Sequence, residues 1–289
     1  MTAHQPPPFG RGGTAGNGGR SAGPTGPVSI GGAIRPSPLF LAIVAGFVVS
    51  GWLLWTVSEG WAVFAFVLTG WVVSLCLHEF AHAVTAYVGG DHSVADKGYL
   101  TLDPRHYAEP GLSLVLPVLF VLLGGIGLPG GAVWINRSAL RSPRIESVVS
   151  LAGPATNVVF AVACLAPIGL GWVDGPFGID AAGGVGDGEA AFAAGLAFLG
   201  FLQVTAAVLN LLPVPGLDGY GVLEPHLSDE FKLKLRPVRQ WGIFAVIGLL
   251  LLPVPNRIFF DFVFGIIDTL GVDRVIVQVG DYLFRFWEN

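Results

Sequence analysis

The chain has 289 residues, of which 53% are hydrophobic and only 12% are charged, and its formal net charge is −5. Its mean hydropathy is +0.68. Because soluble domains carry about 25% charged residues, this composition excludes an ordinary soluble protein and indicates an all-α integral membrane protein surrounded by a lipid bilayer. No basic patch interleaved with aromatic residues occurs, so nucleic acid is not an expected partner.

Residues 1–36 contain ten glycines, six prolines, three arginines and no acidic residue. Such a segment cannot bury enough apolar surface to fold. It also lacks the apolar core and cleavage site of a signal peptide. We expect a disordered Gly/Pro-rich cytoplasmic tail, followed by a polytopic membrane domain over residues 37–263.

The apolar segments that follow predict about five transmembrane helices, each of which needs about 20 residues to cross a bilayer. They occupy residues 38–57, 61–88, 146–170, 190–212 and 241–254. A further apolar segment, residues 112–133, is broken by glycine and proline; we interpret it as a re-entrant element, with a full span as the alternative. After Pro255, apolar patches alternate with single charges, which predicts interfacial amphipathic helices and an amphipathic C-terminal segment over residues 264–289.

The distribution of charge predicts the orientation of the chain. Basic residues cluster near Arg141 and between Lys232 and Arg239, whereas residues 171–189 contain four acids and no lysine or arginine. The positive-inside rule assigns the basic segments to the cytoplasm. We therefore expect a multi-pass protein of a bacterial plasma membrane with a cytoplasmic N-terminus.

The second span carries the sequence His78-Glu79-Phe80-Ala81-His82. Two imidazoles four residues apart lie on one face of a helix. That spacing suits two zinc ligands, and the adjacent Glu79 is placed to act on water as a general base. Ionisable groups in hydrocarbon cost roughly 2.5–3.5 kcal/mol each on insertion scales, and a buried metal would explain why the helix keeps three of them.

Catalytic zinc usually takes three protein ligands and leaves one position for water. Asp218 is the best candidate for the third ligand, because prolines and glycines around it would break the helix and turn a carboxylate inward. The alternative is an ordinary turn residue in Leu217-Asp218-Gly219. Asn157 and Asn210 also lie in apolar segments, where residue type favours tying helices together and contact with substrate is the alternative.

Three motifs together resemble the site-2 protease family of intramembrane zinc metalloproteases. They are His78 to His82, Ala152-Gly153-Pro154-Ala155-Thr156-Asn157, and the stretch from Asn210 to Gly219, and the resemblance covers roughly residues 60–260. It implies one zinc ion per chain bound by His78, His82 and Asp218, with Glu79 as general base and acid. It also implies that Asn157 and Asn210 position the substrate. The loops are too short for a PDZ or CBS domain, so the chain resembles a compact bacterial member.

The expected activity is zinc-dependent hydrolysis of peptide bonds in membrane-spanning segments, either of a regulatory protein or of a remnant signal peptide. A metalloprotease of the prenyl-protein-processing type is a weaker alternative, because we find no convincing downstream Glu-x-x-x-Asp motif. A third interpretation is a catalytically silent membrane protein that binds metal or escorts clients. The sequence names neither the substrate nor a regulatory partner.

Overall fold

The computed structural model describes residues 30–107, 133–176 and 187–288, and within these residues it is helical and contains no β-strand. Four helices are long and apolar enough to cross a membrane, and a bent helix pair raises that number to five if the pair is one span. The four are α1 (Pro38–Val57), α2 (Gly60–Gly89), α3 (Pro143–Gly169) and α4 (Gly188–Asn210). The expected all-α membrane architecture is thus confirmed.

Five shorter helices complete the described part. They are α5 (Asp218–Leu223), α6 (Asp229–Leu235), α7 (Gly242–Leu250), α8 (Pro253–Thr269) and α9 (Arg274–Phe284). Short helical turns lie at Ile30–Ala33, Ser93–Asp96, Tyr99–Thr101, Pro104–His106, Arg137–Ala139, Glu224–His226 and Arg236–Trp241.

The beginnings of the long helices follow from local capping. Ser37 accepts a hydrogen bond from the Phe40 amide at the start of α1, and Ser142 accepts one from the Ile145 amide at the start of α3. Asp187 does the same at the start of α4. These side chains satisfy amide groups that the first turn of a helix leaves unpaired. All four helices begin and end within three residues of the bounds expected from hydropathy.

Helix α4 is the centre of the bundle. In its most apolar stretch of 18 residues, 89% of the residues are buried, against 22% in the corresponding stretch of α1. Alanine and glycine are frequent along α4, which lets neighbouring helices approach closely. Helices α2 and α3 pack against α4 and against each other, and α1 packs on α2 through Phe47 and Phe66, whose ring centroids are 4.8 Å apart. Helix α1 therefore presents most of its surface to lipid.

The C-terminal region contains a sharp bend within the span expected at residues 241–254. Helix α7 stops at Leu250, and α8 leaves it at an angle of 94°. Pro253 and Pro255 explain the break, because proline cannot continue a helix but is well suited to begin one. The boundary expected between residues 263 and 264 falls inside α8. Helix α9 is amphipathic and packs against α4, where Gly280 lies beside the Ala194 carbonyl.

Two predictions concern residues that are largely outside the described part. The re-entrant element expected at residues 112–133 lies outside it, except for Val133. The disordered tail expected at residues 1–36 lies outside it up to residue 29. Of the remaining tail residues, Ile30–Ala33 form one helical turn.

Candidate metal centre

Helix α2 carries the paired histidines on a face that is turned into the bundle. His78 and His82 are each 6% exposed, and Glu79 is 2% exposed. Because the histidines are one helical turn apart, both imidazoles point toward the same neighbour, helix α3. The ring centroids are 4.7 Å apart.

Asp218 approaches the two histidines from the segment that follows α4, far from them in the sequence. Helix α4 ends at Asn210, and after a loop containing Pro213 and Pro215 the chain turns back to begin α5 at Asp218. A side chain at Gly219 would lie 2.2 Å from the Leu211 carbonyl oxygen, so only glycine allows α5 to begin this close to the end of α4. The close return positions the Asp218 carboxylate over the two imidazoles.

The three side chains form one compact cluster. The two Nε2 atoms are 3.1 Å apart, and Asp218 Oδ2 is 3.3 Å from His78 Nε2 and 3.4 Å from His82 Nε2. A tetrahedral zinc ion with bonds of about 2.0–2.1 Å separates its ligand atoms by about 3.3 Å. The triangle therefore has the size that zinc requires, and a nitrogen–nitrogen–carboxylate donor set suits zinc.

Hydrogen bonds fix which ring nitrogens face the cluster. His82 Nδ1 lies 2.7 Å from the Val149 carbonyl oxygen, and His78 Nδ1 lies 2.5 Å from Asn157 Oδ1. Both partners are acceptors, so each Nδ1 carries the hydrogen and each Nε2 presents a lone pair. Two lone pairs and a carboxylate oxygen at these distances repel one another unless a cation or a proton lies between them, which is a second reason to assign a metal to this site.

Gly153 provides the space for such an ion. A Cβ atom at this position would lie 2.2 Å from His82 Nε2 and 2.5 Å from His78 Nε2. Helix α3 therefore presents bare backbone directly to the metal-binding nitrogens. The residues present fit a zinc ion, and any larger residue in place of Gly153 would intrude on the cluster.

The electrostatics of the cluster favour an ionised aspartate. When a proton rather than a metal lies between these groups, burial opposes ionisation of the Asp218 carboxyl, but attraction to the protonated His82 imidazole and hydrogen bonds from the imidazoles hold the pKa of Asp218 below its usual range. The Asp218 side chain is 24% exposed, whereas those of His78 and His82 are 7% and 8% exposed. Among these three groups, the aspartate thus faces the most open side of the cluster.

Helix α5 is fastened to α3 by polar contacts just beyond the cluster. Ser147 donates a hydrogen bond of 2.7 Å to the Val222 carbonyl and lies 3.0 Å from His226 Nε2. Arg137 pairs with Glu224 and, at 2.6 Å, with Glu146 at the start of α3. These contacts hold the segment that carries Asp218 against the helix that carries Gly153.

The two asparagines expected at the substrate have different environments. Asn157 is 4% exposed, and its amide is occupied by His78 on one side and Gln203 on the other, at 2.8 Å. Asn210 is 5% exposed, and we find no hydrogen bond to its side chain from the described residues. Asn157 thus ties three helices together, whereas the Asn210 side chain makes no such connection within the described residues.

Sequence reasoning missed three residues around the cluster: Gly153 as a spacer, and Gln203 and Ser74 as partners of Asn157. Gln203 and Ser74 are 0% and 2% exposed. An isolated glutamine in an apolar span is the same signal that singled out the asparagines, and it would have identified Gln203. The Val149 carbonyl carries no signal in the sequence, because every residue has one.

Comparison with known proteins finds relatives that are named as zinc metalloproteases. The chain is 49% identical over 261 residues to "Putative zinc metalloprotease Rip2" of Mycolicibacterium smegmatis, an alignment that covers 88% of this chain and 95% of the relative. It is 46% identical over the same length and coverage to the protein of that name from Mycobacterium tuberculosis. It is 29% identical over 192 residues to "Putative zinc metalloprotease YwhC" of Bacillus subtilis, covering 65% of this chain and 80% of the relative.

No family model and no solved structure matches the chain. The two Rip2 relatives, however, cover nearly the whole chain at high identity. Their names specify zinc, which fits the donor set formed by His78, His82 and Asp218. The chain is therefore a multi-pass membrane protein that belongs to the site-2 protease family of zinc metalloproteases.

Proposed function

We propose that the protein is a zinc-dependent intramembrane endopeptidase that hydrolyses peptide bonds in the membrane-spanning segments of other proteins. The observation that carries the proposal is the meeting of His78, His82 and Asp218 within 4.8 Å inside a bundle of apolar helices, with Glu79 buried beside them. Zinc held by these three ligands would supply Lewis acidity, which polarises a carbonyl oxygen and acidifies water.

Glu79 acts as general base and then as general acid in this proposal. Its carboxylate takes a proton from the attacking water as the oxygen adds to the scissile carbonyl carbon. The same carboxyl then gives the proton to the leaving amide nitrogen as the carbon–nitrogen bond breaks. Glu79 is suited to this exchange because it is buried next to the cluster and does not belong to the group of three ligand atoms.

Access to the centre is proposed to run past Asp218. This residue is the most exposed of the three ligands, and it begins a short helix at a helix break. A transmembrane substrate must unwind locally, because helical carbonyls are hydrogen-bonded within the helix. The amide of Asn210, to which the described residues provide no hydrogen bond, lies at the end of α4 and is proposed to hydrogen-bond the unwound peptide.

The catalytic proposal is tested with Glu79→Gln in the full-length protein, using a panel of membrane-spanning model substrates. The amide keeps the size of the side chain but cannot accept the proton, so we expect cleavage to fall by about 10²–10⁴-fold, the range for loss of general acid–base catalysis. Zinc content should remain at one ion per chain. The matched control is Glu59→Gln at the other end of α2, where Glu59 makes no side-chain capping bond.

A Glu79→Gln variant that cleaves at the wild-type rate would contradict the mechanism. A wild-type protein that holds zinc but cleaves none of the panel would instead favour the silent metal-binding alternative. Comparing the membrane proteomes of cells that carry the wild type and the variant would then identify the natural substrate.

We further propose that the metal cluster lies in the cytoplasmic half of a bacterial plasma membrane. Arg141 contacts the Gly89 carbonyl at the end of α2, and Arg239 pairs with Glu224 beside α5, so basic residues surround the end of the bundle that holds the cluster. The positive-inside rule assigns this end to the cytoplasm. A thiol reagent that does not cross membranes should label Asp174→Cys in intact cells and spare Lys234→Cys; the reverse pattern would invert the orientation.

A further inference from the structure

A continuous line of buried hydrogen bonds leads from His78 away from the metal cluster. His78 Nδ1 contacts Asn157 Oδ1 at 2.5 Å, and Asn157 Nδ2 donates to Gln203 Oε1 at 2.8 Å. Gln203 Nε2 donates to Ser74 Oγ at 2.8 Å, and the Ser74 hydroxyl donates to the Trp71 carbonyl at 3.1 Å. The line starts and ends on α2 and passes through α3 and α4.

We propose that Gln203 is a positioning residue that, through Asn157, holds His78 in the tautomer that leaves Nε2 free to bind zinc. This proposal rests on the proposed function only in taking His78 as a zinc ligand. Gln203 itself does not belong to the three-residue cluster, and its side chain is fully buried.

The donor–acceptor direction of these hydrogen bonds is set at the Ser74 end of the line. The Trp71 carbonyl can only accept, so the Ser74 hydroxyl donates to it and turns its lone pairs toward Gln203. Gln203 must then present its NH₂ group to Ser74 and its oxygen to Asn157. By the same reasoning Asn157 presents its NH₂ group to Gln203 and its oxygen to His78, which therefore carries its hydrogen on Nδ1.

If the hydrogen bonds in this line ran in the opposite direction, His78 could not bind a metal. If each amide were turned over, Asn157 would donate its NH₂ group to His78 Nδ1, and the imidazole hydrogen would move to Nε2. A protonated Nε2 has no lone pair for a metal. An amide has two nearly isosteric orientations, so Asn157 alone does not determine which nitrogen of His78 carries the hydrogen. The orientation of Gln203 determines that of Asn157.

The two histidines thus reach the same tautomer by different means. His82 contacts a backbone carbonyl directly, at 2.7 Å, and a carbonyl oxygen can only accept a hydrogen bond. His78 depends on two amide side chains from two other helices. Substitutions in the line should therefore affect His78 and leave His82 unchanged, which is a signature that a general loss of packing does not produce.

The test uses the metal-free full-length protein with ¹⁵N-labelled histidine, in which NMR reports the hydrogen on each ring nitrogen. We expect His78 in the wild type to carry its hydrogen on Nδ1. In Gln203→Leu we expect a mixture of tautomers at His78, an unchanged His82, and zinc affinity about tenfold or more below wild type, since loss of a partner behind a metal-binding histidine costs about 10–100-fold.

Two further variants separate positioning from structure. Gln203→Glu keeps an oxygen that accepts from Asn157 in either charge state, so its zinc affinity should stay within about threefold of wild type, well short of the loss expected without the partner. Thr205→Val removes a buried hydroxyl from the same helix. That hydroxyl donates to the Phe201 carbonyl at 2.8 Å and has no contact with the line among the described residues. This variant should leave both the tautomer and the zinc affinity unchanged.

A wild-type His78 that carries no hydrogen on Nδ1 would overturn the proposal, even if Gln203→Leu failed to fold. So would a folded Gln203→Leu with wild-type tautomers and zinc affinity. The proposed function fails in a different way, by the absence of stoichiometric zinc in the wild type, and the tautomer measured without metal is independent of that result.

Discussion

The two ends of the helix bundle are held together by different forces. At the metal end, which comprises the C-terminal half of α2, the N-terminal half of α3 and α5, buried polar side chains contact one another through directional hydrogen bonds. At the distal end, which comprises the N-terminal parts of α2 and α4 together with α9, aromatic rings and glycines make the contacts. Phe64 and Phe284 lie there with centroids 5.3 Å apart, and Gly280 packs on the Ala194 carbonyl.

The difference reflects what a bilayer does and does not provide. Lipid is as apolar as a helix surface, so burial of apolar side chains does not by itself drive helices together, and close packing must do so. That is the role of the distal end. The metal end keeps polar groups that would be costly in hydrocarbon unless each had a partner. Distal contacts should therefore tolerate changes of chemistry better than changes of volume, and metal-end contacts should be sensitive to both.

The largest effect is expected from Asp218→Ala, which removes one of the three ligands. Zinc bound to the purified protein should fall from one ion per chain to a small fraction, while helical content measured by circular dichroism is retained. The physical reason is that two imidazoles alone leave the tetrahedral site half empty. The matched control is Asp229→Ala, since the Asp229 side chain is 97% exposed.

Retention of stoichiometric zinc in Asp218→Ala would contradict the assignment of the third ligand. It would also show that metal binding does not depend on the packing of α5 against the histidines, which the comparison of the two ends assumes.

A smaller but still large effect is expected from Gly153→Ala. The added methyl group would lie 2.2 Å from His82 Nε2, so the imidazole or helix α3 must move. We expect zinc affinity to fall by about 10–100-fold, as for other changes immediately behind metal ligands. Competition with a zinc chelator measures this change.

Gly265→Ala in α8 is the control for Gly153→Ala, because nothing lies within 4 Å of an added Cβ there. This variant should bind zinc normally and be neutral or more stable by up to about 1 kcal/mol, since alanine favours helix over glycine. Equal zinc affinities in the two alanine variants would show that the space beside the imidazoles is not required.

The smallest effect on the site is expected from Gly280→Ala at the distal end. The new Cβ would lie 2.2 Å from the Ala194 carbonyl oxygen, which is backbone and cannot yield easily. We expect the free energy of unfolding to fall by about 1–3 kcal/mol, the usual cost of overpacking, with zinc affinity per folded molecule unchanged. Thermal unfolding in detergent with parallel zinc titration measures both quantities.

A Gly280→Ala variant that loses zinc while remaining folded would break the comparison. It would mean that the two ends are coupled through α4, rather than being held independently.

The sequence by itself determined the four long helices and the face that carries the histidines. Hydropathy and capping by Ser37, Ser142 and Asp187 are local properties, so the helix bounds could be read without knowing any neighbour. The spacing of His78 and His82 fixes their common face through the helical repeat alone. The residues around Asp218 made it the best candidate for the third ligand, with a turn residue as the alternative; the family resemblance implied the ligand role, and the structure brings Asp218 to the histidines.

Tertiary structure decided what depends on contacts between helices. The sharp bend between α7 and α8 and the close approach of Gly153 to the imidazoles result from packing, which no single segment specifies. The partners of the two histidines are a backbone carbonyl on α3 and an amide line through α3 and α4. Hydrogen bonds act over about 3 Å, and only the folded bundle brings side chains so distant in sequence within that range.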